Sequence, residues 1–95
     1  MAVLVRDPNP LPQQQYDGMA SNAQLIEAIK NAPGFIAHLA VPGPNGITVM
    51  EIWESRENAD RWLQDVILPA MRQAGIPQET QPDYQDLHNI ILPGQ

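Results

Sequence analysis

Cysteine is absent from this 95-residue chain. That gap excludes disulfides, thiolate metal sites and cysteine nucleophiles, and it leaves the redox compartment open. Basic residues are nearly as scarce, with five Lys and Arg against 11 Asp and Glu and a formal net charge of −6. Arg6, Lys30, Arg56, Arg61 and Arg72 are scattered and form no stripe for a phosphate backbone. Nucleic acid and anionic membrane are therefore poor partners. No apolar run approaches the roughly 18 residues of a membrane span, and the N-terminus lacks the long apolar core of a signal peptide, so a cytoplasmic location is expected. The only histidines, His38 and His88, lie far apart and the carboxylates are dispersed. That spacing suits no zinc site, and no metal is expected. Neither a glycine-rich phosphate loop nor a Gly-x-Ser-x-Gly elbow is present.

What is present belongs to a globular chain: 43% of residues are hydrophobic and 17% charged. The length fits a single domain spanning residues 1–95, near the lower end of what folds alone. A monomer of this size buries only about 60–65% of the surface that its unfolded chain exposes, so stabilisation by a partner is a natural addition. Rings are few, namely two tryptophans, two tyrosines and one phenylalanine. Each one therefore has to be accounted for.

The first apolar run, "MAVLV" (1–5), reads as a strand that is stopped by "DPNPLP". In residues 13–34, "QQQYDGMASNAQLIEAIKNAPG", the positions Tyr16, Met19, Ala20, Ala23, Ile26 and Ile29 recur at spacings of three and four. That is one amphipathic helix, weakened at Gly18 and ended by Pro33–Gly34. Residues 35–41 and 47–54 read as a hairpin around the turn chemistry of "PGPNG". Ser55 caps a second helix whose buried stripe is Ala59, Trp62, Leu63, Val66, Ala70 and Ala74, with a kink expected at Pro69 and an end at Gly75. A loop over residues 76–85 leads to a fourth strand, "LHNIIL" (87–92). The order β-α-β-β-α-β is the ferredoxin-like plan, an α+β fold with a four-stranded antiparallel sheet and helices on one face. The second hairpin strand is apolar on both faces: Ile47, Val49 and Trp53 on one, Met50 and Ile52 on the other. Helices cover one face, and a twofold-related copy would cover the other, so a homodimer is expected.

The segments "APGFIAH" (32–38), "GITVMEIWES" (46–55) and "LPAMRQAG" (68–75) resemble the dimeric α+β barrel superfamily, and more narrowly its small antibiotic-biosynthesis-monooxygenase-type domains. The likeness runs from about Tyr16 to Leu92. It implies a dimeric barrel, and it places Trp53 in a pocket between sheet and helices. The superfamily holds cofactor-free monooxygenases of polycyclic phenols, polyketide cyclases, lactone isomerases and haem degraders, so the fold alone does not select a chemistry. Two polar positions of the monooxygenases are replaced here, by Val49 and Ala59, which argues against an unchanged mechanism. Where the haem degraders carry their iron-binding histidine stands Arg72, so haem is not expected.

If Trp53 faces the pocket, strand parity brings Val49 and Glu51 with it. On the paired strand the same logic selects Ile36 and His38, and on the fourth strand His88. Glu51 is the sharpest anomaly, a carboxylate inside an apolar strand that must find a partner. A His38–Glu51 pair would serve as a general base, with the carboxylate fixing the imidazole tautomer. It would equally serve as a structural or intersubunit ion pair. Tyr16 and Trp62, on the buried helix stripes, can line the same pocket or simply fill the core. The resulting expectation is a homodimer that binds a small hydrophobic or aromatic ligand and abstracts a proton with His38 and Glu51, and with His88 as a third catalytic group. Trp53, Val49, Tyr16, Trp62 and Ile36 would hold the ligand, and no cofactor would be needed. Monooxygenation is the leading chemistry. Cyclisation or isomerisation by the same deprotonation, and a non-catalytic ligand-binding or structural dimer, are the alternatives.

Overall fold

The hairpin organises the molecule. Strand β2 (Phe35–Gly43) pairs antiparallel with β3 (Gly46–Trp53), and β3 is flanked on its other side by β1 (Val3–Arg6). The last strand, β4 (Asp83–Asp86), adds to β1, giving the sheet order β2-β3-β1-β4 with every pairing antiparallel. A computed structural model describes residues 1–75 and 81–94 of the chain. The expected α+β, ferredoxin-like arrangement is what the chain adopts. The core beneath the sheet is built from Val3, Ile29, Trp53, Ala59 and Trp62.

Three elements differ from the sequence expectation, each for a local physical reason. The first helical segment is two helices, α1 (Gln13–Ala20) and α2 (Ala23–Lys30). Asn22 breaks the run because its side chain accepts the Leu25 amide at 3.2 Å and so caps α2, while the Ser21 hydroxyl bonds back to the Gly18 carbonyl. Short polar side chains compete with the helix ladder in this way. The second helical segment comprises α3 (Arg56–Trp62), a π-helical turn (Leu63–Ile67) and α4 (Leu68–Ala74). Ser55 caps α3 through the Asn58 amide at 3.1 Å, and Gly75 ends α4 in the left-handed region. The expected kink is a change of helical pitch, with Leu68 N–H bonding five residues back to Leu63. Pro69 thus stands at the start of α4, where a missing N–H is tolerated.

The third difference is the fourth strand. It is formed by "DYQD" and not by residues 87–92, which have no strand structure. Antiparallel pairing runs β4 along β1 as Asp83↔Arg6 through Asp86↔Val3, with a last bond from Leu87 N–H to the Ala2 carbonyl. In that direction β1 ends at Val3, and residues 87–92 run on with no partner strand among the described residues. Ile91 is consequently 85% exposed. Of the loop expected over 76–85, residues 76–80 lie outside the described residues.

Candidate active site

Antiparallel register decides which side chains meet. Cross-strand partners share a face, and the pairings His38↔Glu51, Glu51↔Val5 and Val5↔Tyr84 lay one row across all four strands. All four side chains line a cavity of about 510 Å³ between the sheet and the helices. That volume suits a small-molecule site. Trp53 and Phe35 form the next row, their rings edge to face at 5.4 Å. Helices α1 and α2 contribute Tyr16, Met19 and Ile29, and the opposite helical segment contributes Ala59, Trp62 and Ile67.

Ile36 does not line the cavity, and Phe35 does. The reason is a β-bulge: register shifts between Phe35 and Ala37, so one extra residue is inserted at Ile36. Simple alternation would place Phe35 and His38, three residues apart, on opposite faces. The bulge returns them to the same one.

Glu51 occupies the centre of the row and has two donors. His38 Nδ1 lies 2.9 Å from its Oε2, and Trp53 Nε1–H donates to its Oε1 at 3.1 Å. The side chains of His38 and Glu51 are 31% and 15% exposed. Because the carboxylate accepts both bonds, Nδ1 carries the imidazole proton, and in the neutral ring Nε2 is left as a lone pair. Tyr16 occupies that lone pair, its hydroxyl 2.8 Å from Nε2. The Tyr16 and His38 rings lie 6.0 Å apart and 16° from parallel. A continuous chain Tyr16–His38–Glu51–Trp53 therefore runs along the wall. The Tyr16 hydroxyl is shifted above its ordinary pKa, first by burial and then by the negative charges of Asp17 and Glu51.

Tyr16 reaches His38 because the start of α1 is fastened to the sheet. Leu11 and Ile47 exchange two backbone bonds of 2.8 and 2.7 Å, and α1 begins two residues later. Gly46 makes that approach possible: at φ 124° it sits where a Cβ would run into the Leu11 carbonyl oxygen.

Trp53 and Val49 both line the cavity, and Trp53 is only 1% exposed, so it is core and wall at once. Trp62 does the same from α3, its ring 6.0 Å from that of Trp53, although its buried indole N–H has no hydrogen-bond partner among the described residues. His88 falls on the segment after β4, exposed and not among the residues lining the cavity. Its expected face depended on the misplaced fourth strand. Tyr84 lines the cavity too, with Asp7, Leu11 and Pro82, although the sequence placed all four in loops. Its hydroxyl donates to Asp60 and its ring lies 4.3 Å under the Arg56 guanidinium, which ties β4 to α3. Among the described residues no cluster of side chains could hold a metal ion, and no helix is long and apolar enough to cross a membrane.

Neither a protein-family model nor a curated protein matches this chain. Solved structures do. A protein of unknown function from Nitrosomonas europaea superposes with a TM-score of 0.67 at 17% identity, over 99% of this chain and 94% of that one. A heme-degrading protein from Mycobacterium tuberculosis, solved heme-free, gives 0.58 at 19% over 96% and 99%. A monooxygenase of Streptomyces coelicolor, solved with nanaomycin D, gives 0.56 at 20% over 98% and 91%. At these identities the likeness establishes a shared fold, and the neighbours that share it include ligand-handling enzymes.

Proposed function

We propose that this protein is a cofactor-independent enzyme of the antibiotic-biosynthesis-monooxygenase kind, acting on a flat aromatic or polyketide-like ligand by proton abstraction. The observation that carries this reading is the His38–Glu51 pair on the wall of a predominantly apolar cavity of about 510 Å³. Glu51 holds Nδ1–H, which directs the basic nitrogen away from the sheet and stabilises the imidazolium formed when a proton arrives. A phenolic or enolisable ligand, once deprotonated, is an electron-rich carbanion. In the oxidative form of the reaction dioxygen takes electrons from it directly: a ring methylene becomes a carbonyl, and the second oxygen atom leaves as water.

The one imidazole lining the cavity takes the Tyr16 hydroxyl at Nε2, the nitrogen that a haem iron would need.

The test is incubation with a panel of anthrones, naphthols and quinones, under air and under argon, with products weighed by mass spectrometry. Oxygen gained under air only, and lost in His38→Asn and Glu51→Gln, supports the oxidative reading. A rearranged product of unchanged mass in both atmospheres would assign cyclase or isomerase chemistry to the same base. Turnover that survives both substitutions would remove the base from the mechanism.

A homodimer belongs to the same proposal. The sheet face away from the helices carries Leu4, Met50 and Ile52, with Leu39 and Val41 each 42% exposed. A second copy packed sheet against sheet would bury it. Without turnover, that apolar face would favour a structural or ligand-binding dimer.

A further inference from the structure

The catalytic base proposed above has no open lone pair. A neutral imidazole offers one acceptor nitrogen, and here that nitrogen, Nε2, already receives the Tyr16 hydroxyl at 2.8 Å. The other nitrogen is held by Glu51 at 2.9 Å. As the side chains stand, a ligand cannot hand a proton to His38 directly. The Tyr16 hydroxyl donates to Nε2 and can still accept through its oxygen, and Tyr16 itself lines the cavity.

We infer that Tyr16 is the catalytic residue that meets the substrate, passing its own proton to His38 as it receives the substrate's. The proposal rests on the general-base reading and names the atom through which that base works. The step balances as a double transfer. The substrate O–H or C–H bond breaks and leaves its electron pair on the substrate. Its proton joins the Tyr16 oxygen, and the Tyr16 proton moves to His38 Nε2. Tyr16 ends as it began, and the new charge is an imidazolium beside the Glu51 carboxylate.

Two further observations favour a conduit over a stored tyrosinate. Burial and the charges of Asp17 and Glu51 push the Tyr16 hydroxyl upward, so the resting phenol stays protonated and can give up its proton only while gaining another. The side chain is also positioned from both ends: the Leu11–Ile47 bridge anchors the start of α1, and the Asn22 cap starts a new helix after Ser21. The unbroken hairpin register, with His38 opposite Glu51, sets His38 on the face that Tyr16 approaches. Relay geometry of this kind selects acids whose proton can pass through a phenol to an imidazole, which means phenols and doubly activated carbon acids.

The test uses 7-hydroxycoumarin, a flat two-ring phenol whose absorption moves to longer wavelength on ionisation. It is titrated over pH while bound to the full chain as wild type, Tyr16→Phe and His38→Asn, with circular dichroism checking the fold of each. In wild type the bound probe should ionise about one pH unit or more below the free probe. Tyr16→Phe should lose that lowering, because the apolar ring keeps its packing over the imidazole but transfers no proton. His38→Asn should lose it as well. If Tyr16→Phe retains the lowering while His38→Asn abolishes it, His38 takes the proton directly; the inference fails and the base reading stands. If wild type fails to bind the probe, or binds it without lowering its ionisation, the inference and the base reading fail together. A variant too unfolded to titrate is replaced by 3,5-difluorotyrosine at position 16, whose more acidic hydroxyl must change the bound ionisation; an unchanged value overturns the inference.

Discussion

A single carboxylate in an apolar strand explains most of the site. Glu51 is tolerable at the centre of the sheet because it has a donor on each oxygen, His38 and Trp53. Glu51→Gln keeps the volume but removes the charge that stabilises an imidazolium and turns one acceptor oxygen into an NH2, so turnover should fall about 10²–10⁴-fold and the melting temperature should fall as well. Steady-state kinetics beside a thermal melt separates the two effects. The tryptophans make a sharper comparison. Trp53→Phe loses ring contacts and also leaves a Glu51 oxygen without its donor. Trp62→Phe removes an N–H that has no partner among the described residues. Urea titration should therefore find the Trp53 variant less stable than the Trp62 variant, by about 1–3 kcal/mol, the cost of an unsatisfied buried group. Equal losses would mean that the Trp53–Glu51 bond contributes nothing.

At the scale of elements, the site depends on where chain segments are pinned. The Leu11–Ile47 bridge fixes the entry to α1, and Gly46 leaves room for it. Gly46→Ala combines a left-handed backbone with a clash against backbone, and should cost about 2–4 kcal/mol. A urea midpoint close to wild type would show that this contact is dispensable. The break between α1 and α2 rests on Asn22, and Asn22→Ala should cost about 1 kcal/mol, as loss of an N-cap does. The π-helical turn before Pro69 sets Leu63 and Ile67 against the cavity and absorbs a residue that would otherwise interrupt the helix.

For the whole molecule, β4 is a four-residue edge strand held to α3 by Tyr84. The Tyr84 hydroxyl is pushed up to about 12 by partial burial, then by its bond to Asp60 and the charge of Asp60, with Arg56 acting the other way. In the unfolded chain the same group ionises near its ordinary 10.0. Between those values the unfolded state gives up a proton that the folded state keeps. Stability is therefore fully present below pH 10 and falls as pH rises from 10 to 12. Urea midpoints measured from pH 9 to 11 should decline in wild type and decline less steeply in Tyr84→Phe. Identical slopes would assign the alkaline loss to other groups. The open sheet face makes a separate prediction: sedimentation should report a dimer, and Leu39→Glu should shift it towards monomer at equal concentration.

Periodicity and turn chemistry determined the element order, the hairpin and the helix start at Ser55, and parity counted from Trp53 put His38 and Glu51 on one face. Such signals are local, since a strand's alternation and a cap's side chain act within a few residues. Three matters were decided only by tertiary structure. The bulge at Ile36 exchanged that residue for Phe35 on the cavity wall, and nothing in "GFIAH" announces an extra residue, because a bulge exists only against a partner strand. The fourth strand formed at "DYQD" in place of the more strand-like "LHNIIL", because a strand needs a neighbour and β1 extends only so far. That choice moved His88 away from the site and brought Tyr84 into it. Finally, Tyr16 met His38 across 22 residues of chain. Helix periodicity could place Tyr16 on an inward face, but only the packing of α1 on the sheet could aim its hydroxyl at one nitrogen of one ring.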